Sequence, residues 1–267
     1  MKLVLISLLI VFSNVVLAQD PAEYFSLFDN KVYSLKTKGV KDFVVDLSSS
    51  KLTQQMNDQK TFGTVKKLVF RVYWTANPER LDIEVLGLPD GFREAKEELK
   101  ANLLPVLDNI VPMTLVQRFN GYKFAATKPR EFTATDSTGL APVPSYLLRF
   151  DEQDKLVEIR ANRTVGMSTM ELSYEKKAFS DGKWVLLSTT NVSSENNQTI
   201  TSTRKVDHGS SQGFGVVTAV TMTTEQKWSK PELKPVIQSD VIKFDNYKIN
   251  GGEGFKHFQS ENPKASP

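Results

Sequence analysis

The chain has 267 residues, with 40% hydrophobic and 24% charged residues and 34 Lys and Arg against 31 Asp and Glu, a net charge of +3. Those proportions exclude a wholly disordered or collagen-like chain, and so even a charge argues against a nucleic-acid partner held on a concentrated basic face. With no Cys and only two His, disulfides, thiolate metal sites and a cysteine nucleophile are excluded, and a multi-histidine metal site has too few ligands.

The first eighteen residues read as a secretory signal. Lys2 precedes an apolar run from Leu3 to Phe12, Val15–Leu17 resumes it, and Val16-Leu17-Ala18 supplies the small-residue pattern for cleavage before Gln19. The run is shorter than the ~20 residues a bilayer span needs, and Asn14 interrupts it. No later stretch is long and apolar enough to span. The expectation is a soluble protein exported after cleavage behind Ala18. Export without cysteine points to a bacterial periplasm, since small secreted domains often lean on disulfides and a chain this long can bury its core without them. Sequons at Asn162, Asn191 and Asn197 matter only in a eukaryotic secretory pathway.

The next segment has helical spacing. Tyr24, Phe25, Phe28, Val32 and Leu35 share one face, with Asp20-Pro21 as a start and Lys38-Gly39 as a stop, which predicts a helix over Ala22–Lys36. Then the period becomes two. Phe43, Val45 and Leu47 alternate with polar or outward residues, as do Leu68, Phe70, Val72 and Trp74, and then Leu81, Ile83 and Val85. A second helical patch covers Gly91–Val111, with Phe92, Leu99, Leu103 and Leu107 on its apolar stripe and Pro105 expected to kink or split it. Strands return at Tyr146–Phe150, Val157–Ala161, Met170–Tyr174, Trp184–Val192, Thr199–Val206, Val216–Glu225 and Val241–Lys248. Met170, Leu172 and Tyr174 share a face. A switch of face between Phe244 and Tyr247 predicts a bulge or a strand end there. One apolar and one polar face is the mark of an antiparallel sheet covered on one side. Gly251–Pro267 is polar and rich in small residues and is expected to be a flexible tail. The expected organisation is a signal at 1–18, one domain at 19–250 and a tail at 251–267.

Chemistry is sparse. Gly209-Ser210-Ser211-Gln212-Gly213 fits G-x-S-x-G, but a nucleophile elbow needs a following helix, and a β-branched run from Val216 follows instead, so a hairpin loop is expected. Asp151, Glu152 and Asp154 lack calcium-loop spacing and read as a solvated turn. His208 and His257 are isolated. No catalytic residue, metal site or cofactor is assigned. The large side chains on one sheet face close either an ordinary core or an apolar ligand cavity.

The element order resembles the LolA-like family of periplasmic lipoprotein carriers. The resemblance rests on the first helix followed by Val40-Lys41-Asp42-Phe43, and on an aromatic strand leading into Trp74-Thr75-Ala76-Asn77-Pro78-Glu79-Arg80-Leu81. It rests further on the helical insertion, on Asp181-Gly182-Lys183-Trp184-Val185 and on Ile242–Asn250. It implies a mainly β fold, a curved antiparallel sheet (a half-open barrel) with helices covering the concave face. It also implies a cavity for acyl chains on the inward positions of Phe43, Val45, Leu68, Phe70, Val72, Trp74, Leu81, Ile83, Val85, Met170, Leu172 and Tyr174. The insertion, through Phe92, Leu99, Leu103 and Leu107, would be its lid. The family's carriers place a lid-holding arginine just before the hairpin proline; here Asn77 stands there, and Arg80 is the nearest arginine. The expected function is a non-enzymatic exported carrier for lipid or lipoprotein acyl chains, served by a membrane-associated donor or acceptor and without nucleic acid. The alternative is an envelope sensor or structural protein that uses the same fold to bind a protein partner.

Overall fold

The computed structural model describes residues 20–163, 166–195, 197–230 and 232–261. The expected signal and the residues beyond 261 lie outside them. Among the described residues twelve strands form one sheet: β1 (Asp42–Ser48), β2 (Val69–Ala76), β3 (Glu79–Leu86), β4 (Tyr122–Lys128), β5 (Glu131–Asp136), β6 (Ser145–Phe150), β7 (Leu156–Asn162), β8 (Met167–Lys176), β9 (Trp184–Glu195), β10 (Gln198–Ser211), β11 (Phe214–Trp228) and β12 (Val236–Ile249). Five α-helices accompany it among the described residues: α1 (Pro21–Lys31), α2 (Ser50–Asp58), α3 (Arg93–Leu107), α4 (Leu115–Arg118) and α5 (Glu253–Glu261).

The strand order is β3-β2-β1-β12-β11-β10-β9-β8-β7-β6-β5-β4, an open sheet with β3 and β4 as its edges. Neighbouring strands pair antiparallel throughout. The topology has one consequence for any site. The chain leaves the sheet at one edge after β3 and re-enters at the opposite edge with β4. The segment carrying α3 and α4 must therefore cross the width of the sheet, and it covers one face as it does so. From β4 onward the chain meanders back by hairpins until β12 meets β1.

Two hydrophobic clusters sit on the covered face. In the first, Leu99, Leu103, Val106 and Leu107 of α3 pack with Phe43, Val45, Phe70, Val72, Trp74, Ile83 and Val85 and with residues of β10–β12. In the second, Tyr24, Phe25 and Phe28 of α1 and Leu115 of α4 pack with Phe132, Leu148, Phe150, Leu156 and Ile159. The Phe25 ring meets Phe124 and Phe132 edge to face at 4.8 and 5.3 Å, a favoured aromatic geometry. The Tyr24 hydroxyl donates to Asp154 at 2.7 Å and fixes α1 on the β6–β7 turn.

Several expectations are corrected. The first helix stops at Lys31, not Lys36, because Val32 bridges Trp184 and the Tyr33 N–H donates to the Trp184 carbonyl at 2.8 Å. Pro105 does not split α3. It lies in the last turn, where the missing donor costs one bond and the helix ends two residues later. Glu253–Glu261 is no loose tail: α5 packs on the face opposite α3. Its Gly254 approaches so closely that a Cβ would come within 2.7 Å of the Trp74 carbonyl oxygen, and its His257 ring stacks on Tyr73 at 3.7 Å. Strands β4 and β5 and helix α2 were not anticipated. Helix α2 does carry a capping signal, since the Ser49 side chain accepts from the Leu52 N–H. The anticipated break near Phe244 is a bulge: the β1–β12 register slips between Val44 and Asp46, and Asn246 has φ +57°. Gly209–Gly213 lies in the β10–β11 hairpin, where Gln212 and Gly213 are left-handed and Ser211 pairs with Phe214.

Candidate functional site

A cavity of about 710 Å³ lies between the two clusters. Its floor is the covered face of β7–β11. Its walls are the C-terminal part of α1 with the turn after it (Phe28–Thr37) and the crossover between α3 and α4 (Asp108–Leu115). Strand pairing arranges the floor in rows, because cross-strand partners point to the same side. Met170, Asn191, Ser202 and Thr224 form one row. Leu172, Thr189, Arg204 and Met222 form the next. Beyond them lie Tyr174, Leu186, Val206, Val216 and Val217, with Leu35 and Ile110 closing over that end. The cavity is thus graded along the strands. One end is polar and lined by residues that are half-buried or exposed; the other is apolar, with Val185, Val206, Val216 and Val217 buried.

Its Asp, Lys, Arg and His lining residues are Asp29, Lys36, Asp108, Arg118, Arg204 and His208. Lys36 is bound to Glu79 at 2.6 Å. Arg118 forms an ion pair with Asp108. The Asp29 carboxylate accepts the Leu115 N–H at 3.0 Å, tying α1 to α4, yet burial raises its pKa to about 6. His208 is held below its ordinary value, first by burial and then by Lys177, which disfavours its charged form. Arg204 donates from Nη1 to the Pro105 carbonyl at 3.0 Å, and burial lowers its pKa. The Pro105 carbonyl lies in the last turn of α3, and its i+4 donor, Asn109, turns instead to Val106 at 3.1 Å. Arg204 therefore supplies a missing partner at a helix C-terminus, where a cation is favoured.

Of the twelve residues expected to line a cavity, Met170, Leu172 and Tyr174 do so. Phe43, Val45, Leu68, Phe70, Val72, Trp74, Ile83 and Val85 lie in the closed core with α3 and not on the cavity wall. Leu81 is exposed, at 39%. Of the expected lid residues, Leu99, Leu103 and Leu107 are buried in that core and Phe92 packs its ring on Phe62 at 4.8 Å; none of the four lines the cavity. The cover is the segment that follows α3. Arg80 pairs with Thr75 on the face opposite α3, with its guanidinium 5.8 Å from the Phe258 ring of α5, so it is not placed to hold α3.

Arg204, Asp29 and the Asp108–Arg118 pair were missed. The available signal for Arg204 was an arginine on the inward parity of a strand, two residues before Val206. Asp29 and Asp108 carry no such signal, because contacts distant in sequence decide their burial. Among the described residues no group of three or more His, Asp and Glu is placed to hold a metal ion, and no helix is long and apolar enough to cross a membrane. Comparison of the chain with protein-family models, with curated proteins and with solved structures found no match.

Proposed function

We propose that this chain is a non-enzymatic carrier that shelters the acyl chains of a lipid or lipoprotein in the cell envelope of a bacterium, after export and cleavage behind Ala18. The observation that carries the reading is the cavity. Its volume of about 710 Å³ falls in the ~300–1,000 Å³ range of small-ligand sites. Its deep end is lined by Leu35, Ile110, Val206, Val216 and Val217, and each methylene buried there contributes about 0.8 kcal/mol. The resemblance in element order to LolA-like carriers supports the same reading. So does the crossover, which shields the deep end from water.

The test is native mass spectrometry of protein exported to a bacterial periplasm, followed by organic extraction. The wild type is expected to begin at Gln19 and to carry an extra mass that extraction identifies as lipid. Leu172→Trp, which fills the cavity from the β8 row, is expected to lose that mass with an unchanged far-UV circular dichroism spectrum. Wild-type protein that carries no lipid and takes up none from added micelles would sink the reading.

A further inference from the structure

The polar and apolar ends of the cavity meet at Arg204. On β10 the same-face neighbours of Arg204 are Ser202 towards the open end and Val206 towards the closed end. Its cross-strand partners are Thr189 and Met222. A guanidinium has five N–H donors, and the one hydrogen bond found for it here, to the Pro105 carbonyl, uses one of them. Among the described residues no carboxylate lies within 4.0 Å of it. The acid that acts on it, Asp108, is engaged by Arg118. The remaining acid of the cavity, Asp29, accepts the Leu115 N–H and is not among the charges that act on Arg204. Arg204 is thus a half-buried cation with donors to spare, facing a cavity whose other cations, Arg118 and Lys36, are already paired. A cation in that condition gains most from a bound anion, through charge-assisted and bidentate hydrogen bonds.

We propose that Arg204 anchors the head group of the ligand, and that the ligand is an amphiphile with an anionic head, a carboxylate or a phosphate monoester. Its tail runs along β8–β11 past Val206 and Tyr174 towards Leu35. The inference rests on the carrier reading and narrows it from acyl chains in general to anionic lipids. The hydroxyls of Thr189 and Ser202 flank the head position and complete its polar surroundings.

Delipidated full-length mature protein is titrated with the fluorescent fatty acid cis-parinaric acid and with its methyl ester, which has the same tail and no charge. Wild type is expected to bind the acid about tenfold or more tighter than the ester, the difference a charge-assisted pair makes. Arg204→Gln should bring the acid down to the affinity of the ester and leave the ester unchanged. Arg118→Gln should keep the preference. Should Arg204→Gln fail to fold for want of its bond to Pro105, Met222→Glu places a carboxylate beside Arg204 on the neighbouring strand; it should abolish the preference while Arg204 stays in place. Displacement of the probe by dodecanoic acid and by dodecyl phosphate then distinguishes the two heads, and a preference for either supports the anchor. Equal binding of acid and ester by the wild type overturns the anchor and leaves the carrier reading standing. So does a preference that survives both Arg204→Gln and Met222→Glu. Failure of the wild type to bind acid, ester or either dodecyl compound overturns both.

Discussion

Asp29 shows how one buried carboxyl becomes a pH-dependent weakness. Burial raises its pKa to about 6, against about 3.9 for a free aspartate. At pH 4 and below, most of the carboxyl is neutral when folded and the stability linked to it is present. As pH rises through 6 the folded state must ionise a group that the unfolded chain ionises more readily, so that stability is lost, and it stays lost above pH 7. Asparagine keeps an acceptor for the Leu115 N–H and never ionises. Asp29→Asn is therefore expected to melt higher than the wild type at pH 8, by an amount on the order of 1–2 kcal/mol, and to lose that advantage at pH 4. Thermal melts at the two pH values check it; an advantage independent of pH would show that the carboxyl is not the titrating group. Nothing at position 29 in the sequence announces this. The acid sits on a helix whose apolar face is legible, but its desolvation comes from elements packed against it, including Leu115, 86 residues away.

At the scale of elements, α3 is where the sequence pattern and the structure part company in use, though not in kind. The apolar stripe Leu99, Leu103, Val106 and Leu107 is legible as a 3.6-residue period, and each of these side chains is buried. Periodicity says that a stripe is covered and leaves open by what. Here Leu103 and Leu107 join Phe43 and Trp74 in one core, so α3 is an integral layer of the fold. Leu99→Asp combined with Leu103→Asp is expected to cost several kcal/mol, because two unpaired charges would be buried, and to abolish the cooperative melt of a marginally stable domain. Leu104→Asp, on the exposed side at 52%, should stay near wild type. Retention of the β signal and the melt by the double variant would instead mark α3 as a detachable cover. Helix α5 illustrates the opposite case. Gly251-Gly252 and the polar run after it look like a tail, and the stripe of Phe255 and Phe258 is short. Docking on β1 and β2 through Gly254, His257 and Phe258 orders it, with Phe258 only 9% exposed.

At the scale of the whole molecule, the sheet carries two cores that do not merge, one under α3 and one under α1, with the cavity between them. A ligand that fills the cavity touches the β7–β11 floor, α1 and the crossover at once, and it binds the folded state alone. Mass action then stabilises the fold by about 2.7 kcal/mol at a free concentration 100 times Kd. For a domain of this size that corresponds to a rise in Tm of roughly 5–10 °C. Thermal melts of delipidated protein with and without cis-parinaric acid should show that rise, and Leu172→Trp should not. A ligand that left the wild-type melt unmoved at saturation would be bound somewhere other than this cavity.

The local features needed only neighbours along the chain to set them. Alternating apolar residues made the strands from β1 to β3 and from β6 to β12 legible, because a sheet with one wet face demands a period of two. Turn residues placed the hairpins, and the face switch after Phe244 announced the bulge at Asn246. Strands β4 and β5 escaped notice because their patterns, Tyr122–Lys128 and Glu131–Asp136, carry few large apolar residues. The position of the site belongs to the tertiary structure. Phe43, Val45 and Val72 alternate in the same way as Met170, Leu172 and Tyr174, yet the first set is covered by α3 and the second borders the cavity. The difference arises because the chain leaves at β3 and returns at β4, drawing α3 tight against one end of the sheet while the 108–115 crossover bridges its middle. Alternation reports which face of a strand is shielded from water. Only the path of the crossover decides whether the shield touches that face or stands off from it.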